Sequence, residues 1–160
     1  MNILALDTGT TTGWALLSND GRVQFGSWHL ADGASGRTGT RFLSLFNHLP
    51  EIQRQAPLQF VFYEEVHGHS GMAAAHVYGG LVGVLTLFCE LNGVSYRGVT
   101  VQAIKKHATG GGTASKEAMV AAAAKKFCVH VEDDNQADAL FLLDYAIQSL
   151  GNVPAQGQHD

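Results

Sequence analysis

Residues 58–66, LQFVFYEEV, restrict the fold more than any other segment. Apolar side chains fall on both alternating sides, so a strand here needs a packed layer on each face. That pattern belongs to a central parallel strand of a layered α/β domain, not to a half-exposed hairpin. Residues 2–7 form a second short apolar run that ends on Asp7. With no basic region before it, this run reads as a strand and not as a signal peptide.

The remaining segments fit around these two. Residues 13–17 and 22–30 read as strands joined by Asn19-Asp20-Gly21, a strong hairpin signal. Residues 31–40 are a Gly-rich loop, and Phe42, Leu45, Phe46 and Leu49 recur at helical spacing over 40–54. A small-residue helix over 71–91 stops at Asn92-Gly93, and a strand covers 94–99. A short helix follows at 101–107, and Ser115 opens another that runs to Phe127. A last helix occupies 135–150, with a polar tail over 151–160. The order predicts one α/β domain over 1–150, with a mixed five-stranded sheet flanked by helices. Three strands are antiparallel and the next two parallel.

A chain of 160 residues, 46% of them apolar, suits one domain core. Cys89 and Cys128 both lie in apolar segments without CxxC spacing, and read as buried thiols of a cytoplasmic protein. The 71–91 segment is long enough to span a bilayer, but His76 and Glu90 interrupt it and no Lys or Arg flanks it closely. A buried helix or helix–helix interface is expected there instead. Net charge is −4, yet Arg97, Lys105, Lys106, Lys116, Lys125 and Lys126 face Glu117 alone between residues 91 and 131. A basic surface beside an acidic pocket suits the cutting of a phosphodiester. The same charges also suit a solvated helix face.

Three acids occupy places that folding alone disfavours: Asp7 ending an apolar strand, Glu64 in another, and Asp138 opening an apolar helix. Singly, Asp7 reads as a turn residue, Glu64 or Glu65 as a strand-end charge, and Asp138 as a helix cap. Jointly, at one end of a parallel sheet, they point to a shared cation, because burying a lone carboxylate is costly. Oxygen ligands favour Mg²⁺ or Mn²⁺. Two such ions could clamp the attacking and leaving oxygens of an in-line displacement. Gly9 and Gly13 read as bracketing a turn that lets phosphate or metal approach the backbone.

LALDTGTTTGWAL, FVFYEEV and DDNQADALFLLDYA, in this order, resemble the RuvC-type Holliday junction resolvases of the RNase H-like superfamily, particularly their short phage and prophage versions. VQAIKKHATGGGTASKEAMV looks like that family's lysine-bearing segment, so the resemblance runs from residue 2 to about 148. It implies a homodimeric, metal-dependent endonuclease that nicks four-way DNA junctions symmetrically. By motif position Asp7, Glu64 and Asp138 match the metal ligands and Lys116 a basic group near the scissile phosphate, while Lys105 fits a supporting phosphate contact. The family's further acid or histidine, three residues before Asp138, is replaced by Asn135. The fourth ligand is then Asp134, on nearly the same helical face, or Asn135 through its carbonyl oxygen. Where the family often places an aromatic wedge, His67 stands.

Lys106, Arg37 and Arg41 are further candidates for touching DNA, and His67 with His69 forms an HxH lacking a third zinc ligand. His76, Tyr78, Gly79, Gly80 and Gly83 suggest a close helix–helix contact, with the 71–91 helix as the dimer seam. Rival readings are a related nuclease acting on RNA or other branched DNA, and a junction-binding protein that does not cut. The DTGTT phrase also opens actin-like ATP-binding proteins, but 160 residues leave no room for their second lobe.

Overall fold

The structure, a computed structural model, describes residues 1–30, 38–68 and 71–151. Arg37, His69, residues 152–160 of the tail and most of the Gly-rich segment lie outside the described residues. In chain order the elements are β1 (Ile3–Asp7), β2 (Thr11–Leu17), β3 (Val23–His29), α1 (Thr38–Gln55), β4 (Phe60–Glu65) and α2 (Met72–Asn92). They continue with β5 (Ser95–Thr100), α3 (Val101–Thr109), α4 (Lys116–Phe127) and α5 (Asp134–Gly151).

Among the described residues, five strands form one sheet in the order β3-β2-β1-β4-β5. β2 pairs antiparallel with β1 and β3, whereas β4 pairs parallel with β1 and β5. The mixed sheet expected from the sequence is therefore present. Alternation divides the apolar strands between two cores. Leu4, Leu6, Leu16 and Val61 pack with Leu45 and Leu49 of α1 and Leu81 and Leu85 of α2. On the opposite face Ile3, Ala5, Ala15 and Phe62 pack with Ile104, Met119 and the apolar run of α5.

The turn after β1 differs from its expected form. β2 begins at Thr11, because Thr11 and Thr12 pair with His29 and Trp28, so the turn is confined to residues 8–10. β-Branched threonines favour the extended ladder. Gly13 therefore lies within β2, opposite Asp7, and a Cβ there would run into the Asn135 carbonyl at the start of α5. Its missing side chain admits a helix, not a ligand.

The 71–91 helix makes the helix–helix contact expected of it, against α1, and the buried-thiol expectation needs correction at one cysteine. The 71–91 helix is buried on one side only, through Leu81, Leu85, Phe88 and Cys89. Met72, Leu87 and Leu91 are 76%, 56% and 70% exposed. Gly80 abuts the Phe42 ring of α1, while Gly79 and Gly83 open outward. By length and apolar content this helix could also cross a membrane. Of the cysteines only Cys89 is buried; Cys128 is exposed and forms the left-handed cap of α4, with φ 55°.

Gly13→Ala should lower unfolding free energy by about 1–3 kcal/mol, because the added methyl overpacks the α5 contact. Gly79→Ala, in open space, should raise it by up to ~1 kcal/mol through helix propensity alone. Urea unfolding of the two variants provides the check.

Candidate active site

β1 and β4 are neighbouring parallel strands with Leu6 opposite Tyr63, so Asp7 and Glu64 are the next residues along each. Adjacent strands lie ~4.8 Å apart. Both side chains turn to the α5 side, as do Ala5 and Phe62 two residues earlier. Glu65 turns the other way, its Oε2 lying 3.5 Å from His67 Nε2. Strand alternation thus selects Glu64 over Glu65 for the site.

Asp138 arrives on α5, whose N-terminus is built by a neighbouring acid. Asp133 Oδ1 accepts from Gln136 N at 2.8 Å and Oδ2 accepts from Ser27 Oγ at 2.8 Å. Gln136 Oε1 in turn accepts from Glu132 N at 3.1 Å, and its Nε2 donates to Glu132 Oε2 at 3.2 Å. Asp133 is therefore the helix cap, and the capping alternative for Asp138 falls away. The spacing of Asp133 and Gln136 is a capping-box signal that the sequence offered and that reasoning from it missed.

Asp138 Oδ1 is buried without a hydrogen-bond partner among the described residues. Lys116, at the start of α4, places Nζ 2.5 Å from Asp134 Oδ2, with its side chain 76% exposed. The hydrogen bond and charge of Asp134 raise the Lys116 pKa and hold it as a cation. Asn135 is occupied differently: its backbone seats against Gly13.

The acids sense one another. Burial pushes the Asp7 pKa well above the usual carboxylate range, and the charges of Glu64, Asp138 and Asp134 push it further, against the pull of Lys116. Burial, with Asp138, raises Glu64 to about 7, against the pull of Lys105. Asp138 is raised to about 6, again mainly by burial, with Lys105 and Lys116 opposing. Such a pocket favours any ligand that brings positive charge. Among the described residues, however, no three His, Cys, Asp or Glu side chains converge on one ion-binding point.

Sequence reasoning also missed Tyr78. Its hydroxyl accepts from Val66 N at 3.0 Å and donates to the Glu64 carbonyl at 2.9 Å, so α2 pins the strand end that carries Glu64. Lys105 lies near Glu64 and Asp138 by its charge, whereas Lys106 is exposed. Arg41 lines a cleft on the far side of the sheet. Lys126 belongs to a structural cluster, with Nζ and His107 Nε2 each 2.5 Å from Asp144 Oδ2.

No protein-family model matches the chain, and no curated protein matches it by sequence. Solved structures do. Thermus thermophilus RuvC in complex with a Holliday junction substrate superposes with a TM-score of 0.76 at 17% identity, covering 93% of this chain and 96% of that one. A second Thermus thermophilus RuvC structure gives 0.71 at 18% identity, covering 93% and 97%. The chain has the RuvC fold. The yeast mitochondrial Holliday junction resolvase is more distant, with a TM-score of 0.50 at 13% identity over 88% of this chain and 76% of that one. In the RuvC fold of this chain the three carboxylates come from β1, β4 and α5, an assembly that only the tertiary structure creates.

The raised carboxylates carry a stability signature. A folded pKa above the unfolded value means that the native state holds protons the unfolded state has released. For Glu64 the values are about 7 against 4.5, and for Asp138 about 6 against 3.8. Stability in EDTA should therefore fall as pH rises through that interval and level off above it. Asp7→Asn should flatten the fall and raise Tm near neutral pH, by roughly 2–4 °C per kcal/mol of repulsion relieved. Thermal unfolding across pH tests both.

Proposed function

We propose that this protein is a divalent-metal-dependent endonuclease that resolves four-way DNA junctions as a homodimer, in the cytoplasm. The observation that carries the reading is the electrostatically coupled set Asp7, Glu64 and Asp138, flanked by Lys105 and Lys116, on a RuvC fold. One of the similar structures is RuvC in complex with a Holliday junction substrate, which supports branched DNA as the partner.

The residues fit a hard cation. Asp138 offers a buried oxygen without a hydrogen-bond partner among the described residues, and the donor set is all carboxylate. Asp7, Glu64 and Asp138 would hold Mg²⁺ or Mn²⁺, two ions in all, with Asp134, whose charge acts on both Asp7 and Asp138, as the fourth ligand. When bound, the metal supplies Lewis-acid activation of water and phosphate. Glu64 and Asp138 release their protons to bind it, so metal affinity rises with pH through the interval near 6 to 7. The exposed Lys116 ammonium pairs with Asp134 and would stabilise charge developing on a phosphate. Lys105 contributes a second positive charge next to Glu64.

The outer face of α2 supports a dimer seam. Gly79 and Gly83 leave the backbone approachable, and Met72, Leu87 and Leu91 offer apolar surface. Two such faces could pack closely.

Cleavage of a synthetic four-way junction, set against linear duplex and RNA–DNA hybrid with Mg²⁺ or EDTA, tests the activity. Cutting should require Mg²⁺ and favour the junction; equal cutting of duplex, or preference for the hybrid, counts against it. Asp7→Asn should abolish cutting while retaining binding, and Lys116→Ala should slow it by roughly 10²–10³. For the assembly, solution mass should be that of a dimer for the native chain and of a monomer for Gly83→Glu.

A further inference from the structure

Across the sheet rim from the carboxylates lies an open cleft of about 440 Å³. Small-ligand sites span ~300–1,000 Å³. Val66, Ala74, Val77 and Leu81 give it apolar walls, and Thr8 and Arg41 bring polar groups to it. Thr8 is only 7% exposed, and its buried hydroxyl has no hydrogen-bond partner among the described residues.

Strand alternation explains the placement. Thr8 follows Asp7 and turns to the α1/α2 side, whereas Asp7 turns towards α5. The turn at residues 8–10 adjoins both, following Asp7 directly and lining the cleft through Thr8, Gly9 and Thr10. Gly9 presents no side chain on that rim, where a Cβ would come within 3.2 Å of the Thr11 carbonyl. A strand crossing the rim with its phosphate at Asp7 and Glu64 has the adjoining nucleotide beside the cleft.

We propose that this cleft receives one unstacked nucleobase next to the scissile phosphate; the inference rests on the nuclease reading. Apolar walls suit the faces of a base, and stacking against such surfaces tolerates any sequence. The Thr8 hydroxyl gains the partner it lacks by hydrogen bonding to the base edge. Extruding a base costs least where stacking is already interrupted, as at the branch point of a junction. The cleft therefore helps to choose the nucleotide at the cut, a role separate from metal binding.

Four-way junctions carrying 2-aminopurine on either side of the scissile phosphate test this, with fluorescence read in EDTA and cleavage in Mg²⁺. Binding of the native protein should brighten the probe at one of the two positions. Ala74→Phe, which fills the cleft from an exposed helix position, should abolish the brightening and slow cleavage about tenfold, with junction Kd within about twofold. Ala73→Phe replaces it if thermal unfolding finds Ala74→Phe misfolded. Thr8→Val should keep the brightening but change the preference among the four bases at that position by about tenfold.

Absence of brightening with the native protein overturns the proposal. So does a folded Ala74→Phe protein that brightens the probe and cuts like the native one. A native protein that binds and brightens the probe, loses the signal with Ala74→Phe, and cuts nothing supports the cleft while overturning the nuclease reading.

Discussion

The contact between the first turn of α5 and Gly13 of β2 sets the distances on which the rest of the site depends. Asn135 sits where a side chain on residue 13 would otherwise be, directly beside Asp7 in the register of β1 and β2. One turn along the same helix is Asp138. The approach works against electrostatics, since it gathers carboxylates whose pKa values rise together. Packing opposes that repulsion: Ala137, Ala139 and the run from Leu140 to Leu143 are buried against the sheet, and Asp133 ties the helix start to Ser27 of β3. A buried helix thus holds a charged end in place, which a loop could not do.

The sheet also works as a partition. At its carboxyl end Asp7 and Glu64 look towards α5, while Thr8 and Glu65 look towards α2. Tyr78 joins the two sides, since it reaches from α2 to both peptide groups that flank Glu65. The residue that shapes the apolar cleft on one face therefore also fixes the strand end carrying a carboxylate on the other.

Within α2, three glycines in five residues have opposite uses. Gly80 lets the Phe42 ring of α1 approach the helix, whereas Gly79 and Gly83 leave its outer face flat. The helix is long because it spans the domain, and apolar because it has a buried side and an apolar outer side. By length and composition alone the helix also matches a membrane span.

Much of this was legible in the sequence. The two-faced apolar run of β4, the hairpin glycine at residue 21 with φ 84°, and the Ser115 cap each act through neighbouring residues, so local pattern sufficed for the five-stranded sheet and its helices. Asp7, Glu64 and Asp138 were legible too, because a carboxylate within an apolar segment is anomalous wherever the chain goes. What the sequence did not convey depends on contacts between distant segments. That Gly13 admits a helix, that Asp134 turns to Lys116, that Lys126 pairs with Asp144, and that Tyr78 holds Glu64 all follow from tertiary approach. Residue type and spacing determine which groups resist burial alone; only the packed sheet and α5 decide which groups meet, because hydrogen bonds and charge coupling act over a few ångströms in space and not along the chain.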